Sequence, residues 1–212
     1  MDKKITALET QKRNPDRLNV FLNDEFAFGI SKFVGAWLSV GQMISEDKIK
    51  DLTQEDEREQ AYQRALQFIG YKSRTTVEVK QKLEKAEFSP EIIIDVISEL
   101  KEKSYLDDQN FARQWVEIRS ANKPRSRYLL TLELKKKGVS EGVIEEALNT
   151  IPEDVTLAEE FGKQYLRRLT NEDRENFIKR MSGALQRKGF SYHIAAKVAG
   201  ELEELRQKQI EK

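Results

Sequence analysis

Catalysis needs a nucleophile, a proton carrier or a held cofactor, and this chain is poor in all three. Its single histidine, His193, lies in a helical pattern with no cysteine or carboxylate cluster beside it, and reads as an ordinary surface or core residue. No H-x-x-x-H or H-x-E pattern occurs, and neither G-x-x-x-x-G-K nor G-x-G-x-x-G is present to cradle a phosphate. There are no cysteines, which excludes disulfides and cysteine-held zinc. The many carboxylates fall on polar helix faces or at helix starts, where solvent and the helix dipole account for them. The expectation is a protein that is not an enzyme and uses no cofactor or metal.

What remains is charge. The formal net charge is zero, from 37 basic and 37 acidic side chains, whereas a dedicated duplex-DNA binder is usually clearly basic. The charge is unevenly placed. Residues 45–60 carry seven acids against Lys48, Lys50 and Arg58, and residues 119–137 carry seven bases against Glu133 alone. Lys135, Lys136 and Lys137 close a helix, where bases offset the macrodipole. Lys123, Arg125 and Arg127 stand near a helix start and oppose it, so they are the better candidates for an outside anion or acidic surface. A second group, Arg167, Arg168 and Arg174 with Lys179 and Arg180, follows. A solubilising face is the plainer reading of both groups. Bases do not interleave with aromatics along the chain, and Phe111, Trp115 and Tyr128 are spaced for helix packing, so they are assigned to the core.

The elements that must carry these bases are helical and repeated. Leu83, Leu134 and Leu185 stand 51 residues apart. The same spacing links Phe88, Val139 and Phe190, then Ser89, Ser140 and Ser191, then Ile92, Val143 and Ile194, then Val96, Ala147 and Val198. Five columns at one spacing predict three like units. Each unit reads as three helices. In the first, a helix over 56–70 places Tyr62, Leu66 and Ile69 on one face, Thr75-Thr76-Val77-Glu78 forms a capping box, and Ser89-Pro90 opens the third helix. Gly138 and Gly189 sit where a helix end needs a left-handed residue. The mean hydropathy of −0.69 with 35% charged residues is thin for one large globule and suits an elongated array of small units.

The first forty residues differ. Leu18–Leu22 and Phe26–Ile30 alternate around Asn23-Asp24, which predicts a small β-hairpin, and Ile5–Leu8 is a candidate third strand. The expected division is a hairpin extension over 1–45, a first three-helix repeat with a leading helix over 46–106, a second over 107–152, and a third with a tail over 153–212. No 18-residue apolar run is present and Met1-Asp2-Lys3-Lys4 precedes no apolar stretch, so neither a membrane span nor a secretory leader is expected and the default location is cytoplasmic.

Two segments in the middle of the chain bear on function. Lys103-Ser104-Tyr105-Leu106-Asp107-Asp108-Gln109-Asn110-Phe111-Ala112 resembles the GxLDDxxFA segment of the RecX family. Lys123-Pro124-Arg125-Ser126, then Leu129, Leu134 and Lys137-Gly138, is similar to the stretch that follows it in that family. Ser104 and Glu87 stand at turn positions where the family has glycine. The resemblance implies tandem three-helix repeats in a curved, elongated monomer. It also implies binding to the RecA filament on single-stranded DNA, with inhibition of recombinase and ATPase activity, and some contact with DNA. By position it nominates Lys123, Arg125 and Arg127 as the contact surface, whereas Asp107-Asp108, although part of the family segment, reads as a helix N-cap and not as a contact. Two other readings stay open: a free-standing nucleic-acid module, since three helices with a turn resemble helix-turn-helix domains, and a scaffold for another helical partner.

Overall fold

The computed structural model describes residues 2–169 and 172–210, so the outer limits 1 and 212 of the expected division lie outside the described residues. The elements run β1 (Lys3–Gln11), β2 (Asn14–Leu22), β3 (Glu25–Ser31) and β4 (Met43–Ile44). Then come α1 (Glu46–Gly70), α2 (Thr76–Glu84), α3 (Pro90–Glu102), α4 (Asp108–Asn122), α5 (Arg127–Lys136), α6 (Glu141–Leu148), α7 (Asp154–Leu166), α8 (Arg174–Arg187) and α9 (Tyr192–Ile210). The chain divides into two compact units, Met1–Ser73 with Val79–Leu106, and Arg74–Glu78 with Asp107–Lys212. Among the described residues no helix is long and apolar enough to cross a membrane.

In the first unit the predicted hairpin forms. Asn23 and Asp24 take φ of 51° and 69°, the left-handed pair that matches strand twist in a two-residue turn. Alternation buries Val20 and Leu22 of β2 with Phe28 and Ile30 of β3, while Phe21 and Phe26 meet edge to face on the other surface with centroids 6.0 Å apart. The hairpin is part of a larger antiparallel sheet of order β3-β2-β1-β4, since β1 pairs along β2 and short β4 pairs with β1. Ile5, Val34, Leu38, Ile44 and Leu52 close the core over it.

The leading helix expected from residue 46 and the helix expected over 56–70 are one continuous helix, which starts at Glu46. Ser45 caps it by accepting from the Lys48 amide, and Glu46 and Asp47 lie at its positive end. Its front half is held on the sheet by Leu52 and by Asp56, which is only 3% exposed. The Asp56 carboxylate accepts from Arg17 Nη2 of β2 at 2.7 Å, from the Ser31 amide at the end of β3 at 2.6 Å, and from Gln60 at 2.8 Å. A buried carboxylate is tolerated because three donors replace its water. Behind it, Ala61 and Ala65 pack with Val79 and Leu83 of α2 and with Ile92, Val96 and Leu100 of α3.

The 51-residue register has a backbone cause. Glu87, Gly138 and Gly189, each just past a middle helix, take φ of 64°, 77° and 86°. The next amide in each case reaches back to the helix: Phe88 to the Leu83 carbonyl at 3.4 Å, Val139 to Leu134 at 3.1 Å, Phe190 to Leu185 at 3.3 Å. This is a left-handed helix stop with its apolar clasp, made three times from a fully buried leucine and the apolar residue five positions on. Ser104, at φ 59°, ends α3 the same way, with the Tyr105 amide on the Leu100 carbonyl at 2.8 Å. Both positions at which the chain departs from glycine thus keep the left-handed turn.

The second unit has one continuous core running from Phe111 to Leu202. A second repeated contact is seen inside it. The Thr75 hydroxyl donates to the Lys137 carbonyl at 2.7 Å, and the Thr76 amide to Asp108 at 2.8 Å. Further along the chain, the Ser126 amide donates to the Lys188 carbonyl at 3.0 Å, and the Arg127 amide to Asp154 at 2.7 Å. So each of these two middle-helix starts docks on the stop of the next middle helix and on an aspartate at the head of the next first helix. The capping box is present too, Thr75 and Glu78 each accepting from the other's amide at 3.2 Å.

Asp56→Ala leaves the Ser31 amide without its acceptor and the Arg17 guanidinium without its counter-charge, with only the Gly29 carbonyl to donate to, and is expected to cost about 3–5 kcal/mol in the first unit, read by urea unfolding through Trp37 fluorescence in a Trp115→Phe background. Glu87→Gly relieves a non-glycine left-handed residue and is expected to add about 0.5–1 kcal/mol. Gly138→Ala should do the reverse and more, because its new Cβ would lie 2.5 Å from the Val77 side chain. Urea midpoints of the two variants check both signs.

Candidate functional site

The predicted basic residues fall into two environments within the second unit. Around α4 and α5 the bases are matched. Arg125 pairs with Glu133, Arg119 lies 3.5 Å from the same carboxylate, and Trp115 Nε1 donates to it at 3.0 Å. Arg119 also stacks its guanidinium 4.4 Å from the Trp115 ring centroid. Arg127 spends its donors internally, on Glu153 at 2.7 Å, the Leu148 carbonyl at 3.0 Å and Asn149 at 3.2 Å. Lys135 pairs with Glu141, and Lys137 pairs with Glu78 at 2.6 Å against the Trp115 ring. Lys136 is exposed. The arginines that oppose the α5 dipole are therefore balanced by carboxylates. Tyr128, expected in the core, is 66% exposed because it lies on the outer face of α5, away from buried Leu130 and Leu134.

Burial pushes the Glu78 carboxyl up, but the Lys137 ammonium hydrogen bond, the Thr75 amide and the charges of Lys137 and Arg74 outweigh it and hold it below its ordinary value.

The other environment is a solvent-open cleft of about 610 Å³ walled by the end of α4, by α7 and by the end of α8. Lys123, Arg168, Arg187 and Lys188 converge there, and among the described residues its lining holds no carboxylate. Its apolar wall is Phe161 and Tyr165, stacked at 5.6 Å and 16°. Arg168 lies 5.7 Å from the Tyr165 centroid and Lys188 5.5 Å from that of Phe161. Burial pushes the Lys188 ammonium down, and the charges of Arg125, Lys123, Arg168 and Arg187 push it the same way. Bases and aromatics that do not alternate along the chain thus alternate in space.

The cleft joins Lys123 from the first predicted group to Arg168 from the second. Arg167 and Arg174 are exposed outside its lining, Arg180 pairs with Glu172, and His193 is exposed on α9. Arg187 and Lys188 are not singled out by sequence reasoning. Their signal is the register, since they stand 51 residues after Lys136 and Lys137. A larger groove in the first unit, between β2–β3 and α1–α2, mixes Asp16 and Glu59 with its bases and has no such one-signed character.

The chain matches the models of the Regulatory protein RecX N-terminal domain over residues 3–45, the RecX first three-helix domain over 61–100, and the RecX second three-helix domain over 107–148. It is 32% identical over 206 residues to Regulatory protein RecX of Bacillus subtilis (strain 168), covering 94% of this chain and 77% of that protein. It belongs to the RecX family. Regulatory protein RecX of Bacillus pumilus (strain SAFR-032) is 33% identical over 202 residues, covering 93% of this chain and 76% of its own length. A crystal structure of regulatory protein RecX shares the fold at a TM-score of 0.68, with 24% identity over 92% of this chain and 98% of that one. RecX from Lactobacillus salivarius gives a TM-score of 0.61 at 26% identity, over 70% of this chain and 98% of that one. The RecX models for the two three-helix domains cover the units that contain Leu83 and Leu134, and the third unit, at Leu185, repeats their helix stop.

The Glu78 pairing has a pH consequence. A carboxyl lowered in the folded state adds stability above its unfolded value, near 4.5, and that stability is lost as pH falls through the folded value. Glu78→Gln should therefore destabilise the protein at neutral pH and flatten its loss of stability in acid below pH 4.5. Urea midpoints of the two proteins, compared across that range, check it.

Proposed function

We propose that this RecX-family protein is a non-catalytic regulator that binds the RecA filament on single-stranded DNA and restrains its ATPase and recombinase activity in recombination and repair. Family membership across nearly the whole chain carries the reading. The one-signed cleft supports it, because a filament on DNA offers phosphates and acidic protein surface, and four converging cations with no carboxylate suit such a target. In this reading the protein works as a cytoplasmic monomer, and its parts are the sheet region 1–45 and three helical units over 46–106, 107–152 and 153–212.

The contact surface we assign is led by Lys123 and Arg168, with exposed Lys135, Lys136, Arg167 and Arg174 as outlying contacts and the cleft's Arg187 and Lys188 added to it. Arg125, Arg127 and Lys137 support that surface from within through their internal pairs. Many weak contacts along a helical polymer sum by multivalency, which suits a regulator that must also leave.

Added to the cognate RecA on single-stranded DNA, the purified protein is expected to slow ATP hydrolysis and strand exchange. Unchanged hydrolysis at stoichiometric amounts would refute the reading. Lys123→Glu with Arg168→Glu should weaken the restraint while the far-ultraviolet circular dichroism stays as in the parent, since both side chains are exposed.

A further inference from the structure

The two docking joints of the second unit carry the same cations and different anions. Lys136 and Lys137 recur 51 residues later as Arg187 and Lys188, and Arg74 recurs as Arg125. In the first joint Glu78 pairs with Lys137, whereas Glu133 of α5 pairs with Arg119 and with Arg125, the counterpart of Arg74. Fifty-one residues after those two glutamates stand Leu129 and Ala184. Leu129 lies against Gly189, and Ala184 lines the cleft itself. The second joint therefore keeps Arg187 and Lys188 where the first has Lys136 and Lys137 but has leucine in place of Glu78, and with Arg125 matched by Glu133 the cations lining the cleft are left with no carboxylate among them. Gathering like charges works against folding, so an arrangement that concentrates them and drops their internal partners is explained by an anion from outside.

The shape and lining narrow the anion. A flat carboxylate has no use for an aromatic wall. The Phe161–Tyr165 pair, flanked by the Arg168 guanidinium, offers a stacking face for a nucleobase while the cations beside it face a phosphate. A cleft of about 610 Å³ is of nucleotide size, and its opening to solvent lets a chain enter and leave. We infer that this cleft seats one nucleotide of a single strand, its phosphodiester between Lys123, Arg168, Arg187 and Lys188 and its base against Tyr165. The assignment rests on the filament reading for the partner that presents the strand, but the binding itself needs no RecA.

The test is fluorescence anisotropy with a labelled oligothymidylate, without RecA, over a range of salt. Neutralising one or two phosphates of a single strand predicts a slope of log affinity on log salt of about −0.7 to −1.4. Lys123→Ala with Arg168→Ala removes two exposed cations, and should lower affinity roughly tenfold and make the slope shallower by about 0.7. Ala184→Glu, which places a carboxylate in the cleft lining, should weaken binding similarly, while Lys197→Ala on α9, outside the cleft, should leave it unchanged. If Ala184→Glu fails to fold, the exposed double variant still decides.

Unchanged affinity and slope in that double variant would overturn the inference. So would inorganic phosphate binding as tightly as the oligomer, which would mark a closed phosphate pocket. Displacement of the strand by a polyglutamate peptide as readily as by unlabelled DNA would overturn it in favour of an acidic protein partner. RecA ATPase is measured alongside. Strand binding through the cleft with RecA unaffected would defeat the filament reading and leave this one intact.

Discussion

After each middle helix the chain must reverse within one residue, and the rest of the helical architecture depends on how that is done. The left-handed turn at residues 87, 138 and 189 lets the next amide return to the carbonyl five positions back, which seats an apolar side chain over a buried leucine. That clasp fixes where the third helix of each unit starts. In the second unit it also presents the carbonyls of Lys137 and Lys188, on which the preceding middle-helix starts dock. The spacing of the repeat is thus the spacing of a turn, and the leucines, serines and glycines that display it are its parts.

Charge in this chain is organised by the same geometry. The acids that balance Arg125, Arg127 and Lys137 come from Glu133, Glu153 and Glu78, up to 59 residues away along the chain. The Arg125 and Lys137 pairs are partly shielded from solvent on both sides, so they contribute more to holding neighbouring helices than exposed pairs do. Asp56 does the same for the sheet and α1, where one carboxylate meets a side chain of β2 and the backbone at the end of β3. Against that pattern of internal matching, the cleft of Lys123, Arg168, Arg187 and Lys188 stands out as the place where matching stops.

Local chemistry makes part of this legible from the residues alone. Asn-Asp between alternating runs announces a hairpin, and the five columns announce three units, because turn residues and buried leucines act where they stand. The remaining strands are harder to see. β1 alternates weakly and β4 is two residues long, so each is defined by its neighbour more than by itself. The front half of α1 looks like a plain acidic run, since only Leu52 and Asp56 of it are buried. Lys123 and Arg168 can be nominated from sequence, but their convergence cannot, because it depends on how α4, α7 and α8 cross. Arg187 and Lys188 are hidden by an ordinary explanation, that bases belong at helix ends.

The joint at residues 137 and 188 is made with main-chain carbonyls. The main-chain part of each joint therefore forms whatever side chain stands at those positions, and the Lys137–Glu78 pair adds to it at one joint only. One lysine can be tied into a salt bridge and the other exposed to a ligand without repacking anything. An array assembled this way can diversify its surface module by module, acquiring a recognition face at one joint while another stays inert, as duplicated segments drift apart under a common scaffold.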